Sequence, residues 1–411
     1  MQLIKTNFLS GGVCALSLLF IFSCSQQVQQ TNDQQKVQNA VDSVRLALAK
    51  DLGRPVPSIN VLIQTSSEKL FVSSVDSGNK PLTADTYFRF ASNTKNFTAT
   101  AILNMYEDGW LDYKAKITDT IPGSDMPYVP ATADWNIPNK NEITIEELLQ
   151  HSAGVFDVDN DSIPKYNDTY VEHMLLADPL HQFSADELAN VIATNKLSYF
   201  TPRSGYHYSN TGYSILGKII KRVYSFHAGK PKTYSDYLND SITGSTARVP
   251  LKVHFPVQAS DNDLPSPYVT GTTFLRDSTQ HFNRYNVSAH VAEGNGYGTM
   301  NDLNTYIRTL MKGENVLKPS TVELMKTDTS AHNKSYALGC THTPNLGYGH
   351  NGAKIGYLSL MAYDPDTDVS VVVMMPLWDL RNNMDSFAKC FHAIYDAGYA
   401  ARKALGYPGK P

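Results

Sequence analysis

The chain has 411 residues, 42% of them hydrophobic and 18% charged, and carries a formal net charge of -4 at pH 7. This composition predicts a globular protein with a large core, arranged as one composite domain or two. The small negative charge offers no basis for binding nucleic acid, so we expect no nucleic-acid partner.

The first 24 residues have the pattern of an export signal. Lys5 precedes an apolar run over residues 8–22, and Ser23 and Cys24 follow it. A charged start, a short apolar core and a small residue before the cleavage point are typical of secretory signals. The cysteine makes this segment similar to a bacterial lipoprotein signal, with Cys24 as the lipidated first residue. We therefore expect an exported protein, anchored to the membrane by lipid and facing the periplasm or the cell exterior. A plain signal peptide or an uncleaved anchor is the alternative.

A polar segment and the first regular elements follow the signal. Residues 25–37 are rich in glutamine, which is typical of a tether. Apolar residues at helical spacing then predict an amphipathic helix over 38–52. Two β-rich runs at 59–64 and 69–75, joined by a polar turn, predict an antiparallel hairpin.

The stretch from Phe88 to Gly109 contains the first candidate site. An extended, aromatic entry leads into a helix with one apolar face, which Gly109 can end. Ser92 lies at the helix start, and Lys95 lies one turn later on the same face. A serine hydroxyl is a poor nucleophile until a neighbour takes its proton. Lysine can do so if burial or a second cation lowers its pKa, so this pair is a candidate nucleophile and base.

The Ser-x-x-Lys spacing alone is a weak signal, because it occurs five times in the chain. Ser92 is distinguished by opening a mainly apolar helix after an apolar, strand-like run. The alternative is that Ser92 only caps a helix. The other four pairs lie in a polar hairpin region, around a proline, or inside a late amphipathic helix: Ser66/Lys69, Ser77/Lys80, Ser162/Lys165 and Ser386/Lys389.

The middle of the chain is less regular. A capping box at Thr144 and Glu147 predicts a short helix, and further helices are expected at 185–195 and 211–223. Residues 224–290 contain scattered β-rich runs among many proline, serine, threonine and aspartate residues. Long segments of this kind in compact enzymes are often lids or binding loops.

The last third of the chain is rich in strands. The glycine-rich segment 294–298 predicts a close approach of two backbones, because no lysine or βαβ context supports a phosphate loop. Residues 358–363 and 369–375 predict strands, and a final helix is expected from 384 to 405.

Strands at both ends of the chain predict an α/β (α+β) fold in which both termini build one sheet. Residues 38–118 and 290–411 are expected to form this α/β domain. Residues 119–289 are expected to form a second lobe of helices and loops. Cys340 and Cys390 remain after the signal, and the sequence leaves open whether they form a disulfide or stay as two buried thiols.

Two further polar clusters lie at the edges of regular elements. Tyr208-Ser209-Asn210 directly precedes the helix at 211–223, where a functional loop residue is well placed. His350-Asn351-Gly352 precedes the C-terminal strands. Each cluster is weak alone, since Tyr-x-Asn also occurs at Tyr237 and Asn239. The three motifs in this order are far more specific.

Together these motifs resemble the serine penicillin-recognising family. The closest type is the class C β-lactamase and D-Ala-D-Ala carboxypeptidase branch, which also contains esterases and D-aminopeptidases. The resemblance covers roughly residues 38–405, and it includes Phe88-Arg89-Phe90-Ala91, residues 107–112, the segment 148–154 and Gly349-His350-Asn351-Gly352. It implies an antiparallel sheet flanked by helices, and a serine hydrolase that forms an acyl-enzyme with a D-amino-acid peptide or related amide.

The resemblance also implies roles for individual residues. Ser92 would be the nucleophile, Lys95 its proton partner and Tyr208 a second base. The pKa of the Tyr208 phenol would be lowered by the Lys95 charge. Asn210 would hold the substrate amide and orient Lys95, and the N–H groups of Ser92 and Ala353 would form the oxyanion hole. His350 would take the electropositive place, with Asn351 and Gly352 beside it on the strand that lines the site. No cofactor or metal is expected.

One motif departs from the family pattern. Many members have Lys-Thr-Gly where this chain has His350-Asn351-Gly352, so a permanent charge and a hydroxyl are missing. Lys354 begins a second Lys-x-Gly, but Gly349 and Tyr357 align the motif on His350. Efficient β-lactam hydrolysis is therefore in doubt, and a peptidase-type member is favoured.

Three alternatives remain open from the sequence. The chain could be an esterase or a β-lactamase on the same scaffold, or a non-catalytic protein that binds cell-wall fragments. The joint presence of the Ser92, Lys95, Tyr208 and Asn210 side chains argues against the last. The chain has no HExxH pattern of a zinc hydrolase and no GxSxG elbow of an α/β-hydrolase.

Overall fold

The computed structural model describes residues 12–382 and 384–411, with side chains from residue 32 onward. Much of the predicted signal at 1–24, including the Cys24 side chain, lies outside the described part. Lipidation therefore stays a prediction from the sequence. In the part of the chain that is described, none of the helices combines the length and the apolar composition needed to cross a membrane.

Ten helices and eleven strands are described. The helices are α1 Gly12–Leu52, α2 Thr94–Glu107, α3 Ile145–Leu149, α4 Tyr170–Ala177, α5 Ala185–Asn195, α6 Asn210–Ala228, α7 Tyr234–Tyr237, α8 Met300–Met311, α9 Pro319–Thr327 and α10 Met384–Ala404. The strands are β1 Ser58–Gln64, β2 Lys69–Val75, β3 Phe88–Arg89, β4 Gly271–Phe274, β5 Thr279–Phe282, β6 Tyr297–Gly298, β7 Thr341–Thr343, β8 Gly347–Lys354, β9 Tyr357–Asp364, β10 Val369–Met375 and β11 Leu377–Asp379.

The main sheet has six strands in the order β2-β1-β10-β9-β8-β7, and its neighbouring strands run antiparallel. Strands from both ends of the chain therefore meet in one sheet, as predicted. Alternate residues of β10 enter opposite cores: Val371 and Val373 pack on the side of α1 and α10, and Val372 and Met374 pack on the side of α2 and α8. Helices thus cover both faces, which confirms the predicted fold class.

The first helix is longer than predicted. It includes residues 25–37, which the sequence assigned to a tether, and its side chains contact the domain before residue 38. Val37 is fully buried, and the side chain of Gln34 donates a hydrogen bond of 2.6 Å to the carbonyl oxygen of Phe71. Apolar residues of α1 packing on the sheet explain the extension, since packing stabilises a helix more than local propensity does.

The segment 119–289, which the sequence assigned to a second lobe of helices and loops, contains the helices α3–α7. One part of it is different, because β4 and β5 form a hairpin that pairs with β11 near the C-terminus. This small sheet brings residues 271–282 next to the α/β domain. It also brings part of the segment 224–290 close to the start of α2.

Local end signals at two helices are confirmed. The Thr144 hydroxyl and the Glu147 carboxylate form the predicted capping box of α3. Gly109 follows α2 with φ +71°, a left-handed conformation that glycine adopts without strain. The sequence predicted that α2 buries one apolar face, but the structure buries eleven of its 14 residues. The reason is that the helix lies between the sheet and the second lobe.

Cys340 and Cys390 are both free and buried. Burial raises the pKa of each thiol to about 12. The structure therefore selects two inert thiols over the disulfide that the sequence left open.

Candidate active site

Ser92 lies in a tight 3-10 turn, Ala91–Asn93, between β3 and α2. Ala91 has φ +51°, a conformation that costs a residue with a Cβ atom some strain and is often found at functional sites. The glycine-rich segment 294–298 holds this turn in place. The N–H of Phe90 donates to the Gly296 carbonyl at 3.2 Å, and a Cβ at Gly296 would overlap the Phe90 ring. The predicted close backbone approach is confirmed.

Lys95 is fully buried one turn after Ser92, and its ammonium group is surrounded by acceptors. Nζ donates to Ser92 Oγ at 3.0 Å, to Asn210 Oδ1 at 2.7 Å and to the carbonyl oxygen of Glu293 at 2.8 Å. The helical spacing thus brings the hydroxyl and the amine together as predicted. A buried ammonium is stable only with such partners, so its position is well defined.

Tyr208 and Asn210 reach the same point from the start of α6. Lys95 Nζ lies 4.8 Å from the centroid of the Tyr208 ring, and Lys95 and Ser92 both act to lower the pKa of the Tyr208 phenol. Ser209 fixes the loop between them by capping α6 and by donating its N–H to His151 Nδ1 at 3.1 Å. The structure therefore brings Ser92, Lys95, Tyr208 and Asn210 together.

The protonation of the Lys95–Tyr208 pair differs from the expectation. Burial lowers the pKa of Lys95, but Tyr208 and Glu293 outweigh this effect and raise the pKa above its ordinary value. Burial raises the pKa of Tyr208, and the opposing Lys95 charge does not bring it below the ordinary value. Both groups therefore hold their protons at neutral pH, and the pair must lose one proton before it can accept another.

The end of β8 supplies the second donor of the candidate oxyanion hole. Lys354 pairs with Tyr357 across a two-residue turn, and the residues that flank such a turn form a hydrogen-bonded pair. In an antiparallel ladder every second residue is hydrogen-bonded to the neighbouring strand, so Gly352 and His350 also bond to β9 and Ala353 does not. The N–H of Ala353 must then point to the free edge of β8. Ser92 is in the first turn of its helical segment, where N–H groups have no acceptor within the helix. Both predicted donors are free to bind an oxyanion.

His350 does not provide the positive charge that the resemblance implied. It is 2% exposed, its Nδ1–H donates to the carbonyl of Asn351 at 2.6 Å, and its Nε2 accepts from the Tyr336 hydroxyl at 2.9 Å. Burial and the Lys95 charge lower the pKa of His350 to about 3. His350 is therefore neutral at physiological pH. The cation on this strand that lines the cavity is Lys354.

This neutral histidine has a consequence for stability. Unfolded His350 gains a proton as the pH falls below about 6.5, whereas folded His350 stays neutral until about pH 3, so the folded state loses stability toward acid. His350→Gln should remove a penalty of about 2 kcal/mol between about pH 8 and about pH 5. Urea unfolding of both proteins at the two pH values measures it. The exposed His281→Gln serves as the control, and an equal acid effect in His350→Gln and wild type would contradict the assignment.

Three polar residues at the site, the buried His290 and Glu293 and the half-buried Asp159, were not predicted from the sequence. Glu293 accepts from Lys95 through its carboxylate at 3.2 Å, and its other oxygen lies 2.5 Å from His290 Nδ1. Asp159 lies 3.4 Å from the same nitrogen and accepts from Asn210 Nδ2 at 2.7 Å. The spacing His-x-x-Glu directly before the glycine-rich segment is the one local signal that could have indicated them.

These groups also have the donor types of a metal site. Ligand atoms of Asp159, His290 and Glu293 lie within 4.8 Å of one another. However, Glu293 is already paired with the Lys95 ammonium, and Lys354 Nζ lies against His290 Nε2. A metal ion would add positive charge beside two lysines, so the donor set fits these internal pairs better than a metal.

A sequence profile of the family described as Beta-lactamase matches residues 46–383. The chain belongs to the beta-lactamase family. Among curated relatives, Penicillin-binding protein 4* of Bacillus subtilis (strain 168) is 28% identical over 165 residues, 40% of this chain and 30% of that protein. The chain therefore matches less than a third of that relative's length.

Two solved structures share the fold of this beta-lactamase family member. The D-stereospecific amidohydrolase from Streptomyces sp. superposes with a TM-score of 0.66 at 21% identity, covering 86% of this chain and 98% of that one. The D-amino acid amidase from Ochrobactrum anthropi SV3 gives a TM-score of 0.66 at 21% identity, covering 90% and 98%. At these identities the likeness shows a shared architecture.

A cavity of about 560 Å³ opens beside Ser92 in this family member. Its floor is polar and includes Asn210, His290 and Glu293. Its outer wall is apolar and is formed by Leu175, Leu176, Leu180, Phe282, Ile355 and Trp378. We call this wall the apolar rim. Several lining residues come from 262–286. Part of the irregular segment 224–290 therefore lies at the site.

Proposed function

We propose that the chain is a serine hydrolase that cleaves a D-amino-acid peptide or a related amide through an acyl-enzyme. The observation that carries the proposal is that Lys95 contacts both Ser92 and Tyr208, and that Ser92 and Ala353 line one cavity. The amidohydrolase and the D-amino acid amidase that share this fold support an amide substrate. The predicted export and lipid anchor would place the enzyme where cell-wall peptides occur.

The geometry supports the following steps. The pair of Lys95 and Tyr208, having lost one proton, accepts the proton of Ser92 Oγ as this oxygen bonds to the substrate carbonyl carbon. The N–H groups of Ser92 and Ala353 stabilise the oxyanion, each by about 3 kcal/mol in the transition state. Tyr208 then donates the proton to the leaving nitrogen as the C–N bond breaks. A water molecule then attacks the acyl-enzyme, and the same proton transfers run in reverse order. This step breaks the ester bond to Ser92 Oγ and releases the acid.

The neutral His350 favours an open-chain amide without a carboxylate over a β-lactam. A β-lactam antibiotic and a peptide C-terminus both carry a carboxylate, for which the family's lysine offers a fixed charge. Here His350 is uncharged. The small pocket lined by Tyr208 and by Tyr336, the hydrogen-bond partner of His350, has only neutral lining residues: Tyr206, Tyr208, Asn333, Ser335, Tyr336, Thr341 and Asn351. A substrate whose leaving group has no carboxylate fits this wall with the least cost of desolvation.

The test is turnover of matched amides, followed by intact mass of the enzyme. We expect hydrolysis of D-amino-acid amides and little hydrolysis of the L-isomers, with a transient adduct on Ser92. A lasting penicillin adduct would instead indicate a penicillin-binding peptidase, and loss of penicillin without an adduct a β-lactamase. Turnover of esters alone would indicate an esterase. No turnover and no adduct with any of these compounds would leave the non-catalytic binding protein.

The apolar rim predicts the side chain of the preferred substrate. Leu176 is 74% exposed and Leu180 is 61% exposed, so a large apolar substituent of the substrate can cover them. Leu176→Asp is expected to lower kcat/KM for D-phenylalanine amide by about tenfold relative to D-alanine amide. The control is Leu46→Asp on α1, a leucine that is 58% exposed and outside the cavity. Equal losses for both amides would contradict a binding role of the rim.

A further inference from the structure

Lys95 and four other side chains form a closed ring of polar contacts. Its Nζ donates to Asn210 Oδ1 at 2.7 Å, and Asn210 Nδ2 donates to Asp159 Oδ2 at 2.7 Å. This carboxylate lies 3.4 Å from His290 Nδ1, which lies 2.5 Å from Glu293 Oε1. Glu293 Oε2 completes the ring at 3.2 Å from Lys95 Nζ. The residues come from four separate segments, so the ring exists only in the folded protein.

We propose that Glu293 is a positioning residue: it holds the Lys95 ammonium between Ser92 and Tyr208 and sets the pH at which the Lys95–Tyr208 pair releases its catalytic proton. This inference rests on the proposed function. Glu293 touches no reacting atom, and it acts through Lys95 and His290.

The position of Glu293 explains why it can do this. Its side chain is 3% exposed, and it contacts Lys95 through both its carboxylate and its backbone carbonyl. Among the described residues, no other carboxylate lies within salt-bridge distance of Lys95 Nζ. A negative charge in a dry site favours the protonated amine and opposes ionisation of a nearby phenol.

The remaining groups around Lys95 do not replace this effect. His151 and His350 are neutral, because burial lowers the pKa of each. The centroid of the Tyr213 ring lies 5.5 Å from Lys95 Nζ. Burial raises the pKa of this phenol, so it carries no charge at neutral pH. One contact further out, His290 lies between the Asp159 carboxylate and the Lys354 ammonium group. Burial and the Lys354 charge lower the pKa of His290, but Asp159 and Glu293 outweigh them and raise it to about 10.

The proton balance gives the sign of the effect. The reactive form is the pair of Lys95 and Tyr208 with one proton fewer, which takes the Ser92 proton as the new C–O bond forms. Glu293 delays the loss of that first proton. Glu293→Gln keeps the shape and removes the charge, so the pair should lose its proton at a lower pH.

The experiment measures kcat/KM for a D-amino-acid amide against pH in wild type and Glu293→Gln. We expect the rising limb of the profile to move down by about one pH unit or more. Glu172→Gln is the matched control, because Glu172 lines the same cavity without a described contact to Lys95, and its limb should stay in place. A lower rate with an unmoved limb would overturn the proposal, since a purely structural residue behaves in that way.

A second measurement does not need turnover. The near-ultraviolet absorbance of the Tyr208 phenolate, taken as the difference between each protein and its Tyr208→Phe counterpart, should titrate at lower pH in Glu293→Gln. If amides are not hydrolysed, the proposed function fails and this titration still decides the role of Glu293. Should Glu293→Gln not fold, Glu293→Asp retains the charge and should keep the wild-type titration. A shift in Glu293→Asp as large as one pH unit would overturn the proposal.

Discussion

Ser92→Ala is expected to abolish amide hydrolysis, with a loss in kcat of about 10⁴-fold or more, while the protein stays folded. The hydroxyl is the proposed nucleophile. A water molecule in its place would not be held in position for attack and could not form an acyl-enzyme. The Ser92 side chain has one described hydrogen bond, from Lys95. Lys95 keeps Asn210 and Glu293 as partners in the variant, so we expect the free energy of unfolding to change by no more than about 1 kcal/mol.

The measurement combines steady-state hydrolysis with a thermal unfolding curve. Ser77→Ala is a matched control, because Ser77 and Lys80 have the same spacing on an exposed part of the chain, and its activity should equal wild type. Undiminished activity of Ser92→Ala would refute the assignment of the nucleophile. An unfolded Ser92→Ala variant would show that the residue is structural.

Gly352→Ala is expected to destabilise the protein by about 3 kcal/mol or more and to reduce hydrolysis strongly. A Cβ at this position would overlap the Phe90 carbonyl oxygen and lie 2.7 Å from Ser359 Oγ. The first of these atoms belongs to the backbone that leads into the Ser92 turn, so it cannot move without moving the nucleophile. Because Ala353 is the next residue, the displacement would also change the geometry of the oxyanion hole.

Urea unfolding and kcat/KM measured on the same preparations test this. Gly78→Ala is the control, because a Cβ at Gly78 has no atom within 4 Å and its backbone is not left-handed, and it should be neutral. If Gly352→Ala is as stable and as active as Gly78→Ala, then β8 and the Ser92 turn do not depend on this close approach.

Much of this protein could be predicted from short-range patterns. Runs of β-forming residues located β2 and β10 at their observed bounds, and a threonine with a glutamate three residues later marked α3. Such signals act within one strand or one helical turn, so a single sequence contains them. The candidate nucleophile and base were predictable for the same reason, since residues three apart share a helix face.

The association of more distant groups was not predictable. The ring of Lys95, Asp159, Asn210, His290 and Glu293 joins four segments that are far apart in sequence. Only His290 and Glu293 are related by a local spacing, and that spacing does not indicate their partners. The pairing of β4 and β5 with β11 likewise connects distant segments.

The charge of a side chain depended on packing as well. His350 was expected to be electropositive from its motif, yet its burial and the nearby ammonium keep it neutral. Lys95 was expected to need a lowered pKa, yet Glu293 and Tyr208 keep it charged. The sequence by itself determined the candidate residues Ser92, Lys95, Tyr208 and Asn210 and the start of the helix on which the first two lie. The tertiary structure alone decided their protonation, because the cost of a buried charge depends on every group that surrounds it.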